Sequence, residues 1–225
     1  MFKKWIEIFK KDTLLDRAFK RSYEMLDLTR DMFIKSRESL RQMEDCQIDI
    51  NVRDKDLEIN KYEREVRRDV FNHLAVRGTF NLPSGLALIS IIIDIERLGD
   101  YSKNMVELAK EHPGKLTGGK FEEEIKKIGN DVTDQFDITK HCLENDDPVE
   151  GKAQLEKYFY INKACDRLVY ALVREEDPNI RAGDAVALGL YIRWLKRINS
   201  HLRNITTSIV NPFDRIGFEP KKETD

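Results

Sequence analysis

The chain has little of what most site chemistries require. Its three cysteines, Cys46, Cys142 and Cys165, stand far apart with no Cys-x-x-Cys spacing. That excludes a disulfide framework and a structural zinc site, and reads as ordinary thiols in a reducing compartment. Charge of one sign is also missing: 39 basic against 41 acidic residues leave a net charge of −2, so nothing global argues for nucleic acid. The longest uncharged apolar run, "GLALISIII" at 85–93, falls far short of the roughly 20 residues a membrane-spanning helix needs. The opening "MFKKWIEIFKKDTLLD" has neither the apolar core nor the small-residue cleavage site of a signal peptide. These absences predict a soluble, cytoplasmic protein.

Catalytic signatures are absent too. There is no Gly-x-Ser-x-Gly elbow, no glycine-rich phosphate loop and no cysteine with a histidine placed to orient it. A ferritin-like di-iron centre needs Glu-x-x-His turns. Val70, Ala109, Ile138 and Ile198 stand three residues before His73, His112, His141 and His201, so that reading fails. The four histidines read as surface or edge residues rather than ligands.

What is present is helical periodicity. With 11 Gly and 6 Pro in 225 residues, few positions interrupt it. Leu14, Leu15, Ala18, Tyr23, Met25, Leu26, Leu28, Met32 and Phe33 recur at three-to-four spacing, on a helix running to about Met43. Ile59, Tyr62, Val66, Val70, Phe71 and Leu74 form the stripe of a second, from about Leu57 to Val76. Pro83 in "NLPS" suits the first turn of a third helix, which runs to about Glu111 and stops at "HPG". Its "LALISIII" is apolar almost all round, the mark of a central helix.

"GKLTGGK" at 114–120 reads as a linker, after which the pattern restarts with helices at 121–148, 151–178 and 181–210. Three matches in register argue for an internal repeat. "INK" occurs at 59–61 and 161–163, "ED" at 44–45 matches "DD" at 146–147, and "IERLGDYSKN" at 95–104 aligns with "LKRINSHLRN" at 195–204. The expected organisation is all-α: two tandem three-helix bundles at 1–113 and 121–212, a linker at 114–120 and a tail at 213–225. The first unit opens on an amphipathic stretch in which Phe2, Trp5, Ile6 and Phe9 share a face among lysines. Packing against the bundle is its expected role, and lying on a membrane or partner surface is the alternative.

The sharpest chemical feature is the turn "IERLGD". Glu96 and Asp100 are four apart, so one helix face carries both. Together with acids from a neighbouring helix they can hold a hard cation through oxygen. Salt bridging at the edge of the core is the alternative account of the same spacing.

"DLEINKYE" at 56–63, followed by "IDIERLGDYSKNMVELA" at 93–109, resembles the PhoU family, negative regulators of phosphate uptake. The family carries two three-helix repeats, each with an acidic turn usually written "LERIGD". The resemblance implies two bundles side by side, surface metal clusters and no enzymatic activity. It also implies a cytoplasmic adaptor, at most peripheral to the inner face of the membrane. Its partners would be a membrane phosphate transporter, ATP-driven or sodium-coupled, and a sensor histidine kinase; a homodimer is compatible with it, and nucleic acid is not a partner. Glu96 and Asp100 match the metal-binding turn, Asp56 and Asn60 the preceding acidic turn, and Glu63 lies one turn on. These five residues are the expected ligands of one Fe, Mn, Zn or Mg ion.

The second repeat departs from the pattern, with Lys196 and Ser200 in place of the two acids and Tyr158 in place of Asp56, so a second cluster is not expected. "NLP" at 81–83 stands where the family usually reads "DLR". Two readings of other classes remain: a metal store or metalloenzyme on a helical bundle, and a plain helical scaffold whose acidic turns are structural.

Overall fold

The computed structural model describes residues 13–42 and 51–220. The amphipathic stretch at 2–11, the acidic pair at 44–45 and Cys46 lie outside them. Seven α-helices and no strand occur among the described residues: α1 Leu14–Arg41, α2 Val52–Arg77, α3 Leu82–Glu111, α4 Glu122–Asn145, α5 Pro148–Lys157, α6 Tyr160–Val173 and α7 Ala182–Val210.

Their boundaries follow from local chemistry. Thr13 caps α1 in a reciprocal box: its hydroxyl accepts from the Asp16 N–H at 3.2 Å, while the Asp16 carboxylate accepts from the Thr13 N–H at 2.9 Å. Asn51 caps α2, and Gly78 ends it at φ +69°, a left-handed backbone that favours glycine. Pro83 sits in the first turn of α3, where its missing N–H costs nothing. Pro148 has the same role in α5 behind the Asp147 cap. That proline therefore starts a helix, whereas the sequence suggests that it only ends one.

α1, α2 and α3 pack on one another, and α4 to α7 form a second layer in which α7 touches all the others. The two long helices α3 and α7 pack together and join the layers. Leu88, Ile91, Ile92, Ile95 and Leu98 of α3 and Leu188, Ile192, Leu195, Ile198 and Leu202 of α7 belong to one continuous core. Each such side chain, fully buried, contributes about 1.5–3 kcal/mol. A further bridge is the stack of Phe33 in α1 on Phe136 in α4, with ring centroids 5.5 Å apart.

The second helix of the second unit, expected unbroken over 151–178, is two helices. At Tyr158–Phe159 the backbone tightens: the Phe159 N–H donates to Glu156 and the Ile161 N–H to Tyr158, three residues back instead of four. The turn buries Tyr158 and leaves Phe159 exposed. Phe71, expected on the buried stripe of α2, is 69% exposed, and His73 is buried two residues further on, beside Asn81 at 2.9 Å.

The segment at 114–120 is docked between the layers. Leu116 is fully buried, its N–H donates to the Leu40 carbonyl at 3.0 Å, and its own carbonyl accepts from Arg41 at 2.6 Å. Residues 211–219 are tied down as well, with Glu219 paired to Arg203 at 2.5 Å.

Candidate functional site: the acidic turn of α3

Asp56, Asn60 and Glu63 share one face of α2 by their spacing, and Glu96, Asp100 and Lys103 share one face of α3. The two faces meet. Lys103 Nζ donates to Asp56 Oδ1 at 3.1 Å and to Asp100 Oδ1 at 3.2 Å, joining the helices through an ammonium. Arg97 donates to the other Asp100 oxygen at 2.9 Å and lies 3.5 Å from Glu96. Arg67 takes Glu63 at 2.8 Å. All four carboxylates are partly buried.

Burial pushes the Glu96 carboxyl above its ordinary value. The negative charges of Asp100, Glu63 and Asp56 push the same way, against Arg97. The structure thus gathers the sequence-predicted acids into one field of excess negative charge, the condition that a cation relieves. Their hard oxygen donors suit Mg, Mn, Fe or Zn, and Lys103, between Asp56 and Asp100, supplies part of that positive charge.

Gly99 faces Ile59 where the helices pack. A Cβ there would stand 2.9 Å from Ile59 Cδ1, so the end of that side chain would have to shift. In the second unit the matching residue is Asn199, which donates to Asn162 at 2.9 Å. Lys196, where Glu96 would be, donates to both oxygens of Asp166 at 2.7 and 2.6 Å. The acidic field of α3 is replaced there by an ion pair.

Sequence reasoning missed two features. Among the described residues the group of three ligand-type side chains within 4.8 Å of one another is His141, Asp147 and Glu150, not the turn at Glu96. Its chemistry is accounted for locally: Asp147 Oδ1 accepts the Val149 and Glu150 N–H groups as a helix cap, and Glu150 lies 3.3 Å from His141. Second, the histidines are not all peripheral. His201 bonds Asp94 at 2.6 Å and stacks on Tyr101, with centroids 5.7 Å apart, so Asp94 clamps α3 to α7. His112 bonds Asp184 at 3.0 Å across the two layers. The two described cysteines are buried, and burial pushes both thiols up to about 12, which leaves them inert.

Comparisons with known proteins bear on the fold. Residues 23–109, spanning α1 to α3, match the PhoU domain family model. A phosphate-specific transport system accessory protein PhoU homolog from Synechocystis is 24% identical over 160 residues, 68% of each chain. The crystal structure of PhoU from Pseudomonas aeruginosa superposes with a TM-score of 0.73 at 22% identity, covering 88% of this chain and 95% of that one. The phosphate transport system regulatory protein PhoU from Streptococcus pneumoniae gives a TM-score of 0.76 at 16% identity, covering 87% and 93%. No helix among the described residues is long and apolar enough to cross a membrane. Residues 23–109 are thus similar to the PhoU domain, and the chain shares the helical-bundle fold of the PhoU structures along most of its length.

Proposed function

We propose that the chain is a non-enzymatic cytoplasmic regulator of phosphate uptake, an adaptor that acts on a membrane phosphate transporter and on its sensor histidine kinase. The observation that carries this reading is the coincidence of the PhoU domain match at 23–109 with the gathered acids of the "IERLGD" turn inside it. The relatives are named for phosphate transport and its regulation, and the repeats at 1–113 and 121–212 act as unequal halves. The first half holds one cation through Glu96, Asp100 and Asp56, with Asn60 and Glu63 at its edge. The second half has exchanged that chemistry for the Lys196–Asp166 pair. The protein works as a monomer or homodimer beside the inner face of the membrane.

An affinity pull-down of the tagged protein from its own host, grown with and without phosphate, tests the adaptor role. Recovery of a phosphate-transporter subunit or a phosphate-sensing kinase is expected, and its identity separates ATP-driven from sodium-coupled transport. Recovery of neither under both conditions contradicts the reading. The cation site has its own test. The wild-type protein is expected to retain Fe, Mn, Zn or Mg by elemental analysis, and Glu96→Ala with Asp100→Ala to lose it. Equal metal content in the two proteins would leave the acids as salt-bridge partners only.

A further inference from the structure

A cleft of about 550 Å³ opens between the C-terminal end of α1, the docked segment at 115–119 and the N-terminal half of α4, with Tyr191 of α7 at its base. It lies apart from the acidic turn and shares no residue with it. Four cations line the cleft, Arg37, Arg41, Lys115 and Lys126, against one carboxylate, Glu122. Glu122 is already shared: it accepts from Arg41 at 2.8 Å and from the Gly118 N–H at 2.5 Å, and lies 3.7 Å from Lys126. Lys126 also pairs with exposed Glu123 at 3.2 Å. Arg37 meets only neutral acceptors, Thr133 Oγ1 at 3.0 Å and Asn130 Oδ1 at 2.6 Å. Lys115 makes no ion pair with a described residue.

Two further features point to an anion. Tyr191 is 1% exposed as a residue, and its hydroxyl opens on this cleft, with no hydrogen bond to a described side chain or backbone group. Burial pushes its phenol up, so it remains a donor. Gly129 then clears the space in front of it. A Cβ at 129 would stand 3.2 Å from Arg37 Nη1 and 3.3 Å from Tyr191 Oη, so a charged and a neutral donor converge where the helix lacks a side chain. Glycine within a helix is unfavourable without a local reason, and a ligand volume is such a reason.

We propose that this cleft binds a small phosphate-bearing anion, with Arg37 and Tyr191 as direct donors and Lys115 and Lys126 supplying the field. The guanidinium fork matches phosphate oxygens geometrically, and Arg41 forms the fixed wall behind them. The volume accommodates either a free phosphate ion with water or the phosphate groups of a larger metabolite. This inference stands independently of the regulatory reading.

Calorimetric titration of the full chain with inorganic phosphate, pyrophosphate and ATP, each in the presence of a chelator, tests it. At least one probe is expected to bind saturably at a single site, more weakly as salt rises. Arg37→Gln is expected to weaken that binding about tenfold, the scale of one charge-assisted hydrogen bond, with a smaller loss in Tyr191→Phe. Circular dichroism checks that both variants fold. Tightest binding of inorganic phosphate identifies the free ion, and tightest binding of pyrophosphate or ATP identifies a metabolite. No saturable binding of any probe, or binding that neither variant weakens, overturns the proposal.

Discussion

Phe136→Ala is expected to lower the unfolding free energy by about 3–5 kcal/mol, the usual cost of removing a buried phenylalanine, and to do so in one cooperative transition. Phe136 is 1% exposed and Phe33 fully buried, and their rings stack across the junction of the two units. Truncation removes a stacked pair as well as apolar area, and leaves a cavity between α1 and α4. Because the core is continuous across both units, the loss spreads over the whole chain. Urea unfolding followed by circular dichroism checks this. Two separate transitions, or a loss under about 1 kcal/mol, would show that the repeats fold as independent domains.

Arg41→Met is expected to cost about 3 kcal/mol at neutral pH, the lower end for breaking a buried ion pair. Arg41 is 7% exposed and ties three elements together: it donates to the Leu116 carbonyl at 2.6 Å and to Glu122 at 2.8 Å. Methionine fills much of the volume but leaves that carbonyl without its donor and the carboxylate with only the Gly118 N–H and the more distant Lys126. Burial pushes the Glu122 carboxyl up, but the Gly118 N–H and Arg41 outweigh it and hold it below the ordinary value. A carboxylate depressed in the folded state adds stability above its unfolded pKa of about 4.3. That stability is lost as pH falls through the lower folded value. The gap between wild type and Arg41→Met is therefore expected to narrow below about pH 4.3. A gap that stays constant down to the acid transition would mean that Arg41 acts through packing and the Leu116 carbonyl rather than through Glu122.

Much of this was legible in the sequence, and the reasons differ by element. The helices at 14–41, 52–77 and 82–111 declare themselves because each buries one stripe and because Thr13, Asn51 and Pro83 mark their starts. That the acids of α2 and α3 face one another was legible because their spacing fixes which helix face they occupy. Where Lys103 points was not, since a flexible side chain chooses its partners only once α2 and α3 are packed. The break at Tyr158–Phe159 has no proline or glycine to announce it, and is set by the burial of the Tyr158 ring against the core. Phe71 was misplaced because its position beside Val70 cannot show which of two adjacent apolar residues the core takes. The basic cleft was invisible for another reason: Arg37, Lys115, Lys126 and Tyr191 are scattered over more than 150 positions and meet only through the fold.

The measurement that bears most directly on the central claim is the rate of phosphate uptake in a strain lacking this protein, grown in phosphate-rich medium. A negative regulator of transport predicts uptake above that of the parent strain, restored to the parental rate by the wild-type gene. Uptake identical in the two strains, with the protein present in the parent, would contradict the account and leave the chain with the PhoU fold but another task.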